Sequence, residues 1–349
     1  MSSETDSDDL TALVRGMKTV TSPMRTLLAD LHRKLAPLSD GHLAATLPEL
    51  MRADPNWFAL CVVDTKGRLY ESGDSQQAFT MQALAHPFVY GLALMEEGRD
   101  AILAHVGVEP VHEGFRLSDE AVLPLPNPLV ASGALATMAL LRGASVTERL
   151  EKNLAFFRRL AHRELAIDAT IFTASRAAGH RHRALAHLMC ERGLLADGLE
   201  TTLDLFFQQQ ALLVNTRDLA MMAATLANQG RNPVSNEEVL APAYVRDVLS
   251  VMYTCGMHAL AGHWAYRVGL PAEGSSTGAM MLVVPGQLGL AVFSPLLNDQ
   301  GLSLRGIKAC EAFTDHFGLH MLAPPEQRTK LQEALSMRGS AAAARSSTP

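Results

Sequence analysis

Two apolar hairpins far apart in the chain, with seven helix-period stretches between them, predict an α+β domain. Strands from both ends would pair into one antiparallel sheet packed with a helical subdomain. The first hairpin is "FALCVVDTKGRLYESG" (58–73), two apolar runs around a Lys66-Gly67 turn. The second is "GAMMLVVPGQLGLAVFSPL" (278–296), two apolar strands around Pro285-Gly286.

Between the hairpins the apolar residues recur at helical spacing over 81–97, 127–143, 146–163, 166–193, 198–214, 216–229 and 242–257. Pro128 suits a first helical turn and Asn127 suits the cap before it. A last helix, "SLRGIKACEAFTDHFG" (303–318), follows the second hairpin. A site would lie where sheet and helices meet.

No linker rich in Pro, Gly or Ser divides the chain, and no internal repeat occurs. Residues 25–325 therefore read as one domain. The acidic stretch 1–24 and the low-complexity stretch 326–349 read as tails. A formal net charge of −6 without a dense basic run argues against nucleic acid as partner. No apolar segment approaches the ~18–20 residues of a membrane helix. "MSSETDSDDL" lacks the basic and apolar regions of a signal peptide. The expectation is a soluble, cytoplasmic protein of no membrane. The four cysteines, Cys61, Cys190, Cys255 and Cys310, have no short spacing and read as reduced core thiols.

One stretch poses a chemical question. In "FTMQALAHPF" (79–88), Ala83 and His86 stand three apart on what reads as a helix. Ser and Lys at that spacing would put a nucleophile and its base on one helical face.

Five further segments carry a resemblance: "VGVEP" (106–110), "NPLVASGAL" (127–135), "DLAMMAATLANQG" (218–230), "VLSVMYTCGMH" (248–258) and "VGLPAEGSSTGAMMLVVP" (268–285). In order and spacing they are similar to the serine-dependent glutaminase family, whose fold is that of serine β-lactamases and penicillin-binding proteins. The resemblance runs from about 45 to 320. It implies a β-lactamase-like fold, a homo-oligomer, and hydrolysis of glutamine's side-chain amide by a Ser activated by a Lys and a nearby Tyr.

Position by position, the resemblance also implies that this machinery has been replaced. Ala83 stands for the Ser, His86 for the Lys and His258 for the Tyr. Ala131, Ser175, His182, Phe206 and Thr46 stand for polar residues that hold the substrate. Glu273 to Ser275 stand for the family's K-S-G. Nucleophilic catalysis needs a nucleophile within hydrogen-bond reach of its base, and Ala supplies none.

His86, His182 and His258 all fall on pocket positions of the family. They are the candidate catalytic residues and, as three imidazoles facing one cavity, candidate ligands for zinc, iron or copper. Such an ion would generate hydroxide without a serine. His180 would point elsewhere, and Glu109 or Glu273 would orient the ligands. Histidines packing a disused pocket would leave the same sequence. Ser132, Ser175, Phe206 and Ser276 are candidate substrate-binding residues, and Ser275 and Thr277 add nearby hydroxyls. The segment 273–279 offers backbone amides for an oxyanion. Three functions stay open. One is a His-lined, metal-dependent site for a small amino-acid-like or amide substrate. Another is a non-catalytic protein that binds a small ligand or regulates an active relative. The third is glutamine hydrolysis to glutamate and ammonia through a different nucleophile.

Overall fold

Strand β1 (Ala59–Asp64) is buried along its whole length and pairs on both edges. Its sequence, ALCVVD, is continuously apolar up to Asp64 because both faces of the sheet are covered. The computed structural model describes residues 22–110, 125–191, 193, 195, 198–324 and 329–336. Within them β1 joins β2 (Leu69–Gly73), β6 (Ala272–Gly274), β7 (Ala279–Val284) and β8 (Leu288–Phe293) in one antiparallel sheet of order β2-β1-β8-β7-β6. Strands distant in sequence meet in the middle, where Ala59 faces Phe293 and Asp64 faces Leu288. Both predicted hairpins form. Gly67 and Gly286 take the left-handed backbone of the turns, with φ of 75° at each. Asp64 Oδ1 tightens the first turn by accepting from the Lys66 and Arg68 backbone N–H groups.

A second sheet was not foreseen. β3 (Phe79–Thr80), β4 (Ala166–Ile167) and β5 (Leu212–Val214) are strands of two or three residues in the order β3-β5-β4. Helices follow the 3.6-residue pattern over Val146–Ala161, Thr216–Ala227, Pro242–Cys255 and Leu304–Phe317. The predicted 166–193 helix is β4 followed by two helices, Ala169–Ala178 and His180–Glu191. Gly179 separates them, and a Cβ there would meet Phe207 Cζ at 2.4 Å. The stretch 127–143 becomes helical only at Ala131–Ala139. Asn127 instead turns the chain, its Oδ1 accepting from the Leu129 N–H.

One face of the large sheet carries Ala59, Cys61, Val63, Met281, Ala291 and Phe293 into the main core with the helical subdomain. The other carries Leu60, Val62, Leu282, Leu290 and Val292 against helices Pro23–Leu35, Leu304–Phe317 and Thr329–Ser336. Helix Thr329–Ser336 lies inside the stretch expected as a C-terminal tail. Its Leu331 is wholly buried because the second face of the sheet would otherwise meet water. At the other end, Met24 is buried inside the stretch expected as an acidic tail, and the helix starts at Pro23. The expected tail residues 1–21 and 337–349 lie outside the described residues. No helix among the described residues is long and apolar enough to cross a membrane.

Candidate functional site

A crevice of about 310 Å³ opens where the two sheets meet the helical subdomain. Its floor is the 3₁₀ turn Gln82–Ala85, which follows β3 and runs into helix His86–Glu97. Ser175 and Ala178 come from helix Ala169–Ala178, Arg181 and His182 from the helix after Gly179, and Phe207 and Gln210 from the end of helix Leu199–Gln210. Ser276 closes it from the β6–β7 turn, and Thr46 and Leu47 from a loop. The backbone is strained beside the floor: Gln82 holds a φ of 49°, a left-handed conformation that non-glycine residues seldom take. Gln82 Nε2 donates to Thr80 Oγ1 at 3.1 Å, which pins that side chain.

The β6–β7 turn is built for close approach. Gly278 has a φ of 86°, and a Cβ there would meet Ser294 O at 2.1 Å. Ser275 N–H donates to Ala279 O, and Ser275 Oγ pairs with Thr277 Oγ1 at 2.6 Å. Ser276, between them, is half-buried and faces the crevice.

His86 is buried beneath the turn and packs on Phe206, ring centroids 5.7 Å apart. Burial pushes its pKa down to about 3, against a smaller upward pull from the Leu129 carbonyl. The neutral ring donates from Nδ1 to Leu129 O at 3.3 Å, which leaves Nε2 as a buried acceptor without a partner. His182 packs on the same Phe206 ring at 5.2 Å, and burial, then the Arg181 charge, lowers its pKa to about 4.

His258 turns elsewhere. It lies on a separate cavity of about 520 Å³ beside Asn127 and Cys255, on a left-handed backbone with φ of 50°. Its Nε2 sits 3.0 Å from Oε1 of Glu273, a carboxylate with 0 % side-chain exposure. Protonated, the ring forms an ion pair with that buried carboxylate. Burial pulls the His258 pKa down, but the Glu273 charge and contact outweigh it and the net shift is upward.

A family model described as Glutaminase matches residues 41–322. This chain belongs to the glutaminase family. A protein named Glutaminase from Trichormus variabilis is 48 % identical over 303 residues, covering 86 % of this chain and 90 % of the relative. The solved structure described as Mglu in its native form superposes with a TM-score of 0.83 at 36 % identity, over 87 % of this chain and 75 % of that one. Mglu in its glutamate form gives a TM-score of 0.82 at 35 % identity, over 86 % and 70 %. The β-lactamase-like fold expected from the sequence motifs is the fold of these glutaminases.

Within this glutaminase-family fold, Ala83, His182, Ser175, Ser276 and Thr46 line one crevice. The three histidines are close enough for the His258 and His182 charges to lower the His86 pKa, yet they do not assemble as ligands. Among the described residues no group of three or more His, Cys, Asp or Glu side chains is arranged to hold a metal ion. The physical reason is packing: His86 and His182 both lie on Phe206, while Glu273 draws His258 to the neighbouring cavity. Phe206 is thus a buried packing platform, 1 % exposed, rather than a wall of the crevice. Ser132 is also withdrawn: it is wholly buried in helix Ala131–Ala139 and its Oγ has no partner. His180 is exposed, and Glu109 lines a third cavity beside Tyr90 and Asp247. Gln210, Phe207 and Leu47 line the crevice but were not singled out from the sequence. The run Gln208-Gln209-Gln210 at the end of a helix is the one sequence signal that could have found Gln210.

Proposed function

We propose that the crevice at Ala83 binds a small amino-acid amide of the glutamine type, and that Ser–Lys hydrolysis of that amide does not run here. The observation that carries this reading is the Ala83 methyl on the crevice floor. It occupies the position the family motif gives to the nucleophile, and a methyl can neither attack a carbonyl nor be activated by a base. His86, at the motif's Lys position, reinforces this. Buried, and uncharged above a pH of about 3, it supplies no cation near Ala83 in neutral solution. Ligand binding is supported by the concave shape, by Gln82, Gln210, Ser175 and Ser276 on the walls, and by a relative crystallised in what is described as its glutamate form.

A second reading is hydrolysis of glutamine to glutamate and ammonia through another nucleophile. The name Glutaminase on a relative 48 % identical favours it, as does the Ser275–Thr277 hydroxyl pair beside the crevice. Ammonia release from L-glutamine by the protein, purified from a host lacking its own glutaminases, separates the two. Background release with saturable glutamine binding supports the first reading. Turnover that disappears in Ser275→Ala overturns it in favour of the second.

A further inference from the structure

We infer that the crevice accepts an N-substituted amide: a γ-glutamyl amide whose amine part has an aromatic or apolar body ending in a hydrogen-bond donor. This rests on the reading of the crevice as an amide site and extends it. A second cavity of about 260 Å³ adjoins the first, and Ser276 lines both. The two run side by side along helix Ala169–Ala178, which gives Ile171 to one and Ser175 to the other. The Thr80–Gln82 hydrogen bond spans the divide, since Thr80 lines the second cavity and Gln82 the first.

The walls of the second cavity name its occupant. Phe79 and Phe293 stack with centroids 4.5 Å apart, and Trp57 sits 6.3 Å from Phe293. These rings offer a flat apolar body the dispersion and area burial that aromatic partners prefer. Glu49, also in the lining, has a buried Oε2 with no hydrogen-bond partner. A buried acceptor in that condition gains from a donor on the ligand. Asp168, the other carboxylate in the lining, already has Oδ1 committed to the Thr170 and Ile171 N–H groups, and Arg52 lies exposed. A primary amide placed in the first cavity would leave the aromatic one empty. A substituent on the amide nitrogen, directed past Ser276, fills it.

Calorimetric titration with L-glutamine, γ-L-glutamyl-phenethylamine and γ-L-glutamyl-tyramine tests this. The expected result is binding of both substituted amides at least about tenfold tighter than glutamine, with the phenol-bearing one ahead. Trp57→Ala is expected to bring the ratio of substituted amide to glutamine near one, and Glu49→Gln to close the gap between tyramine and phenethylamine compounds. A ratio near one in the wild type overturns the extended site while leaving the amide pocket standing. So does a ratio that Trp57→Ala leaves unchanged. Failure of all three ligands to bind overturns the amide pocket itself and the extension with it.

Discussion

Glu273 is a carboxylate with no exposure, and among the described residues the His258 imidazole stands against its charge. Removing that imidazole strands the charge, so His258→Ala is expected to cost roughly 1–3 kcal/mol at neutral pH, read from urea unfolding. Glu273→Gln in the same background should recover much of the loss. The pH dependence has two limbs. The His258 pKa is raised, so its contribution is complete below the unfolded value of about 6.5 and is lost as pH climbs through the folded value. His86 and His182 act in the opposite sense. Their folded values of about 3 and about 4 mean that the unfolded chain binds protons the folded one refuses, so stability rises with pH up to about 6.5. Unfolding midpoints measured across that range should therefore peak near neutrality, and His86→Leu should flatten the acid limb. At this scale the family motifs made Ala83, Ser175, His182 and Ser276 legible as neighbours. They could not reveal that His86 lies on Phe206 or that His258 faces Glu273. Ring direction is decided by tertiary packing, which residue spacing does not encode.

Helix Thr216–Ala227 lies on the middle of the large sheet, and one missing side chain lets it come so close. A Cβ on Gly289 of β8 would meet Ala224 N at 2.3 Å and Ala223 C at 2.6 Å, both backbone atoms that cannot swing aside. Gly289→Ala is expected to destabilise by about 1–3 kcal/mol or more through overpacking, with a lowered urea midpoint and an unchanged slope. The same helix opens with a capping box between Asn215 and Asp218. Asn215→Ala should cost about 0.5–2 kcal/mol, and Asn215→Asp far less. Helices of this length were readable because apolar residues mark one face over several turns. β3, β4 and β5 were not, since two or three residues are too few to display a period. The long 166–193 pattern concealed its break because Gly179 is required by contact with Phe207, a residue distant in sequence.

The whole molecule is a sheet sandwiched between two cores, with strands distant in sequence zipped at β1–β8. That layout was visible in the two hairpins. The closing of the second core was not, because Thr329–Ser336 is short and follows a low-signal stretch. Ending the chain at residue 324 would uncover the surface that Leu331 and Ala334 bury. A loss of roughly 1.5–3 kcal/mol from Leu331 alone is expected, with a lower thermal midpoint and a tendency to self-associate. Function at this scale rests on the crevice between sheet and helical subdomain. The measurement that tests it most directly is calorimetric titration of L-glutamine into the wild type and into Ala83→Leu, whose larger side chain fills the floor. Saturable binding to the wild type, abolished in a folded Ala83→Leu protein, is the predicted result. No binding to the wild type, or equal binding to both proteins, would contradict it.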